Sequence, residues 1–145
     1  MKNKKNIFLF TITLLVILMV CYFVFSFYKT SEKNLENETA SLTINSMDLV
    51  NSYRINEEKS DRLYTGKIIE VTGFVKEITF LNNRNTILLN SNSETFGLIC
   101  DINPNQKNKI EQLKEHQKIK VKGICKGFLK DVILLNCSLD LIPNE

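Results

Sequence analysis

Eight lysines fall within twenty-four residues, at Lys107, Lys109, Lys114, Lys118, Lys120, Lys122, Lys126 and Lys130, against only Glu111 and Glu115. Lys118, Lys120 and Lys122 alternate with Ile119, Val121 and Gly123, so on a strand they share one face and Lys126 continues it. A row of ammonium groups at that spacing suits a phosphate backbone or another polyanion, although a solvated outer face uses the same pattern. Nucleic-acid-binding barrels add aromatic rings for bases to stack on. Phe74 and Phe128 are the two rings the core does not demand. The candidate ligand set is therefore Phe74, Lys118, Lys120, Lys122, Lys126, Phe128 and Lys130.

Cysteine offers a second chemistry. Of the four, Cys21 lies in an apolar run, which leaves Cys100, Cys125 and Cys137. No C-x-x-C occurs, so thioredoxin-type redox work is disfavoured. Three thiolates lack a fourth zinc ligand other than the lone His116, and no metal is expected. The three are then buried core thiols or include one disulfide. Cys125 faces residues near 132–133 across the Gly127–Lys130 turn, which disfavours its pairing with Cys137. Cys100–Cys137 is the better pair.

Catalytic signatures are missing. His116 stands beside Glu115, and adjacent helical residues point apart. The chain has no nucleophile elbow, P-loop or dinucleotide fingerprint. Glu57, Glu58 and Asp61 read as helix surface. A non-enzyme without a cofactor is expected.

Charge and hydropathy give location. Lys2, Lys4 and Lys5 carry the whole formal excess of +3. The rest of the chain is neutral, which is not the broad basic field of a nucleic-acid-binding domain. Residues 7–28 (IFLFTITLLVILMVCYFVFSFY) carry no charge and, as a helix, would extend about 33 Å. A cleaved signal has a shorter apolar region and a small-residue cleavage site. Leu18-Met19-Val20-Cys21 resembles a lipobox, but bulky Val20 precedes the cysteine and the apolar run continues past it. An uncleaved single span is expected. By the positive-inside rule residues 1–6 are cytoplasmic and the domain is extracytoplasmic.

The elements that position the candidate residues follow from changes of period. Residues 29–41 read as a polar, flexible tether. An amphipathic helix is expected over about 45–63, capped by Asn45 or Ser46. Lys67–Ile78 alternates as a strand with Ile69, Val71, Gly73 and Val75 on one side, and Gly73 suggests a bulge. Further strands are read at Thr86–Asn90, Phe96–Ile102, Lys118–Lys126 and Asp131–Leu141. A helix is expected over Gln106–His116. The core candidates are Ile69, Val71, Val75, Leu88, Leu98, Val121, Val132 and Leu134.

The fold class expected is mainly β: a five-stranded OB-fold barrel with an N-terminal amphipathic helix and a short helix between strands three and four, preceded by one transmembrane helix. An SH3-like barrel and an open α+β sheet share the element list, and the inserted helix favours OB. The domains are 1–6, 7–28 (anchor), 29–41 (tether) and 42–145 (barrel).

Two runs carry a family resemblance. Asn56-Glu57…Ser60…Tyr64-Thr65-Gly66-Lys67-Ile68-Ile69-Glu70-Val71-Thr72-Gly73-Phe74-Val75 resembles an N-E-x-x-A-x-x-x-Y-x-G-K-x-I-x-V-x-G-x-V signature, with Ser60 in place of Ala. Gly123-Ile124-Cys125-Lys126-Gly127…Asp131-Val132-Ile133-Leu134-Leu135-Asn136-Cys137 resembles its G-x-C-x-G-x-x-x-D-V-x-L-x-x-C counterpart. Together they resemble the tRNA-anti-like family of OB-fold proteins over about residues 42–141. The resemblance implies the barrel. It does not imply nucleic-acid binding, because fold does not carry function. On the residues themselves, Tyr64 is expected to plug the barrel base and Asp131 to accept backbone N–H bonds at a turn.

Two functions compete. The favoured one is a membrane-anchored, non-catalytic module held by residues 7–28 that binds an envelope protein, peptide or glycan. The alternative is single-stranded nucleic-acid binding by the Lys118–Lys130 hairpin with Phe128.

Overall fold

In the computed structural model, residues 12–24, 35–81 and 83–142 are described, and the chain divides into two units, Met1–Glu32 and Lys33–Glu145. In the first unit residues 12–24 are helical. Among the described residues no helix is long and apolar enough to cross a membrane. Residues 7–11 and 25–28 of the expected span lie outside the described residues, as do residues 1–6 and 29–34.

The second unit opens with a 3-10 turn, Leu35–Asn37, then β1 (Leu42–Asn45), α1 (Ser46–Ile55), α2 (Glu57–Tyr64), β2 (Ile68–Leu81), β3 (Arg84–Leu89) and β4 (Leu98–Ile102). A 3-10 turn, Pro104–Gln106, leads into α3 (Lys107–Ile110), followed by β5 (Lys118–Phe128) and β6 (Val132–Leu141). The strands run in the order β1-β2-β3-β4-β6-β5, and β5 pairs back onto β2. This closes a five-stranded barrel from β2, β3, β4, β6 and β5. β4–β6 is the parallel pair, and the other four barrel pairings are antiparallel. A closed, mainly β barrel with short helices is consistent with the OB-fold.

Closure needs strong coiling, and three bulges supply it. Each appears as one extra residue in the register: Lys76 on β2, Lys126 on β5 and Asn136 on β6. Gly73, where a bulge was expected, has another purpose. A Cβ there would lie 2.5 Å from Ser46 Oγ, so glycine admits the start of α1, where Ser46 Oγ donates to the Asn90 carbonyl.

The single helix expected over 45–63 is two. Asn56 (φ −156°, ψ 94°) ends α1 and caps α2, its side chain accepting from the Lys59 N–H. Asn45 caps α1 as expected, accepting from the Met47 N–H at 2.9 Å. The helix expected at 106–116 reduces to the 3-10 turn and α3, with Ile110 and Leu113 still buried. β1 was not anticipated, since four residues are too few to show a period; it adds in parallel beside Ile69–Thr72.

Seven of the eight core candidates are wholly buried: Ile69, Val71, Val75, Leu98, Val121, Val132 and Leu134. Leu88 is not. It stands on the outer face, and its neighbours Ile87 and Leu89 fill the interior. Tyr53 on α1, rather than Tyr64, is the fully buried ring at the helical end; Tyr64 packs against it with centroids 5.9 Å apart. The Tyr53 hydroxyl lies 3.0 Å from Thr65 Oγ1 and 3.4 Å from Cys125 Sγ.

Candidate binding surfaces

The strand lysines do point outward, but the two in the middle are engaged within the chain. Lys120 Nζ pairs with Glu70 at 3.3 Å. Lys122 Nζ donates to the Glu36 and Glu38 carbonyls at 3.1 and 2.8 Å. The Leu35 carbonyl closes the Leu35–Asn37 turn by accepting from the Glu38 N–H, and the Glu36 and Glu38 carbonyls beside it receive the ammonium group. Lys109 Nζ adds an ion pair to Glu36 and a bond to the Leu139 carbonyl. Leu35 beneath is almost fully buried, so residues 35–38, expected as tether, are fastened to the domain. A hollow of about 190 Å³ remains among Glu36, Glu70, Asp140 and the three lysines. Its formal charges cancel, three against three. At Lys120 and Lys122 the basic stripe is thus a neutralised clasp.

The rest of the candidate set is dispersed. Lys126 occupies the β5 bulge and Lys130 the following turn, both exposed. Phe128 is no free platform. It stacks on Tyr53 at 5.8 Å and 20°, meets Phe96 at 5.8 Å, and packs against the core. Arg54 lies 5.4 Å above the Phe96 ring. Phe74 is exposed and lies opposite Lys118 in the β2–β5 register. These two share a hollow of about 340 Å³ with Lys114, Glu115, His116 and Gln117. The turn that forms it is pinned to β2 by His116 N–H to the Val75 carbonyl and Val75 N–H to the Gln117 carbonyl. His116 adopts φ 64°, so it stands in a tight turn and not on the expected helix. Of the seven candidates, the structure brings Phe74 together with Lys118, and Lys120 together with Lys122.

Cys100, Cys125 and Cys137 are buried free thiols. Burial pushes the Cys137 thiol well up, and the neighbouring Cys100 thiol adds to it. Burial likewise raises the Tyr53 phenol, with the bond to Cys125 acting in the same direction. Asp131 accepts a backbone N–H as expected, from Gly97 at 2.6 Å.

A different surface, aliphatic and outward-facing, lies across β3, β4 and β6. Leu88 on β3 stands opposite Ile99 on β4, and Ile99 opposite Ile133 on β6. All three are half-buried and outward, while their strand neighbours Ile87, Leu89, Leu98, Cys100, Val132 and Leu134 fill the core. Leu135 on β6, Ile124 on β5 and Ile68 on β2 extend the aliphatic surface by the same pairings. Arg84 and Asp101 form an ion pair at its margin. Burial raises the Asp101 carboxyl while Arg84 opposes that rise. The signal was present in Ile87-Leu88-Leu89, Leu98-Ile99 and Val132-Ile133-Leu134-Leu135. These runs are apolar throughout rather than alternating, the mark of strands covered on both faces.

The closed barrel and its half-covered outer face define an OB-fold domain with an apolar outer surface. The chain belongs to the tRNA_anti-like family, which it matches over residues 1–139. No curated protein matches it. Among solved structures it is similar to a putative nucleic acid-binding lipoprotein from Klebsiella pneumoniae, at 14% identity and a TM-score of 0.57, covering 69% of this chain and 92% of that one. It is also similar to the S. pombe Stn1-Ten1 complex (12% identity, TM-score 0.44, 53% of this chain and 59% of that one). A third similar structure is an OBody bound to hen egg-white lysozyme (11%, 0.42, 53% and 84%). At these identities the likeness is one of fold.

Proposed function

We propose that the chain is a non-catalytic, membrane-anchored binding module whose barrel docks an extracytoplasmic protein or peptide against Leu88, Ile99 and Ile133. The observation that carries this reading is that row, three half-buried aliphatic side chains in direct register across β3, β4 and β6. Each keeps no more than about a third of its surface in water, so covering it is worth up to roughly 0.5–1 kcal/mol, and the three act together as one patch. Glycans call for rings and hydrogen-bonding side chains, and the row supplies neither. The strand face on which OB-folds commonly bind is the one carrying Leu88 and Ile99. The anchor is the apolar segment 7–28, with the N-terminus cytoplasmic by its flanking lysines.

The test is Ile99→Glu with Ile133→Glu. Both side chains point outward, so the variant keeps its fold, and it should lose the partner recovered with the native chain by cross-linking in cells.

A second reading has one specific support. Phe74 with Lys114 and Lys118 combines a ring with two cations, and the Klebsiella relative is described as a putative nucleic acid-binding protein. Single-stranded oligonucleotides would then bind with an affinity that falls steeply with salt, about 0.7 in log–log slope per phosphate neutralised. Phe74→Ala should abolish that binding. Retention of oligonucleotide by Phe74→Ala, or a flat salt dependence, contradicts the second reading.

A further inference from the structure

Cys100 and Cys137 stand diagonally across the parallel seam of the barrel, where the register pairs Cys100 with Leu134 and Ile102 with Cys137. Cys100 on β4 and Cys137 on β6 both lie wholly inside, on the two strands of that seam. Strict alternation from Val132 and Leu134 would send Cys137 outward. The extra residue at Asn136, in the left-handed region at φ 56°, turns it inward instead. Gly123 on β5 leaves the space it enters, since a Cβ there would lie 2.6 Å from Cys137 Sγ. Cys125 is committed elsewhere, with its sulfur 3.4 Å from the Tyr53 hydroxyl oxygen. A bulge, a glycine and a neighbouring thiol thus converge on one sulfur.

We propose that Cys100 and Cys137 are a disulfide-forming pair, and that their bond forms before the barrel closes. The oxidant is a disulfide of a small thiol or of an oxidoreductase. One cysteine thiolate attacks a donor sulfur, forming a mixed disulfide and releasing the first donor thiol. The second cysteine thiolate then attacks the first cysteine's sulfur and displaces the other donor sulfur as a thiolate. The two cysteines give up two protons and two electrons, and the donor disulfide becomes two thiols. The attacking species is the thiolate, which needs water and access. The closed barrel gives these sulfurs neither, so exchange belongs to the open chain, and the finished bond is shielded from reductants. The product welds β4 to β6.

The experiment uses the full chain with Cys21→Ser, which removes the exposed thiol, in detergent. One sample is unfolded, reduced and refolded with oxidised glutathione. A second is refolded under reduction and then given the same oxidant. Peptide mapping of the first should show a Cys100–Cys137 cross-link and a mass two hydrogens lighter, with Cys125 open to alkylation after denaturation. The second should keep all its cysteines as thiols over the same period. Cys125→Ser should leave the cross-link unchanged. A refolded sample with no cross-link, or with Cys125 in it, overturns the pairing. Oxidation of the folded sample as fast as the unfolded one overturns the order of events.

Discussion

Lys122 Nζ donates to the Glu38 carbonyl at 2.8 Å across 84 residues of sequence. With Lys109 and Lys120 also paired, to Glu36 and Glu70, the strand that looked most like a polyanion site instead fastens the Leu35–Asn37 turn to β5 and β6.

A clasp predicts a stability effect where an anion site predicts a binding effect. Lys122→Glu should lower stability by about 1–2 kcal/mol, since two bonds to a charged donor are lost at a half-exposed site. Urea unfolding measures it. A silent variant would mean that the clasp contributes nothing, and oligonucleotide binding lost without a stability change would restore the anion site.

Val121 is wholly buried between β2 and β6. Val121→Asp places a carboxylate with no partner inside the barrel and should cost on the order of 4 kcal/mol or more, enough to unfold a marginal domain. Circular dichroism should show the β signal lost. A native melting curve would refute the inward placement.

Gly73 and Ser46 should be energetically coupled. Gly73→Ala drives a methyl group to 2.5 Å from Ser46 Oγ and 2.9 Å from its Cβ. Overpacking of this kind costs about 1–3 kcal/mol. Ser46→Gly in the same chain removes both clashing atoms and should recover part of the loss, a non-additivity that a double-mutant cycle reads directly. Strictly additive effects would show that the two residues do not meet.

Raised ionisations in the interior give a pH dependence. Cys137 and Tyr53 both hold their protons more tightly folded than unfolded. Unfolded thiols ionise near about 8.5 and phenols near about 10. The contribution is therefore complete below about pH 8.5 and falls as pH rises, by up to about 1.4 kcal/mol per pH unit for each group. The urea midpoint of the reduced protein should decline from pH 8 to about pH 10, and Cys137→Ala should flatten the early part of that decline. A midpoint constant over this range would contradict the burial of both groups.

Much of the barrel was legible because period-two segments bounded by turns announce strands, and Ile69, Val71 and Val121 sit where that alternation puts them. What sequence could not show is where alternation fails. Lys76, Lys126 and Asn136 each add one residue to a strand, and of the three only Asn136, of a type that tolerates the left-handed region, carries a hint of it. The Asn136 bulge alone reverses which way Cys137 faces. The candidate site suffered from a different blindness. Counting lysines gives no information about partners such as Glu36 and Glu38, which meet Lys122 only once the barrel is closed. Phe128 was set apart as a free ring although Tyr53 and Phe96 enclose it, because three rings scattered over the chain share no local pattern. The aliphatic row was visible as unbroken apolar strands, but its register depends on which strands become neighbours.

The most direct measurement is site-specific photo-cross-linking in living cells. A photoreactive residue replaces Ile99, Ile133, Phe74 or Lys118, one at a time, in the full membrane-bound chain. Positions 99 and 133 should each give a discrete protein adduct, abolished when the other position of the row carries Glu, and positions 74 and 118 should give none. Adducts confined to Phe74 and Lys118, or to nucleic acid, would contradict it.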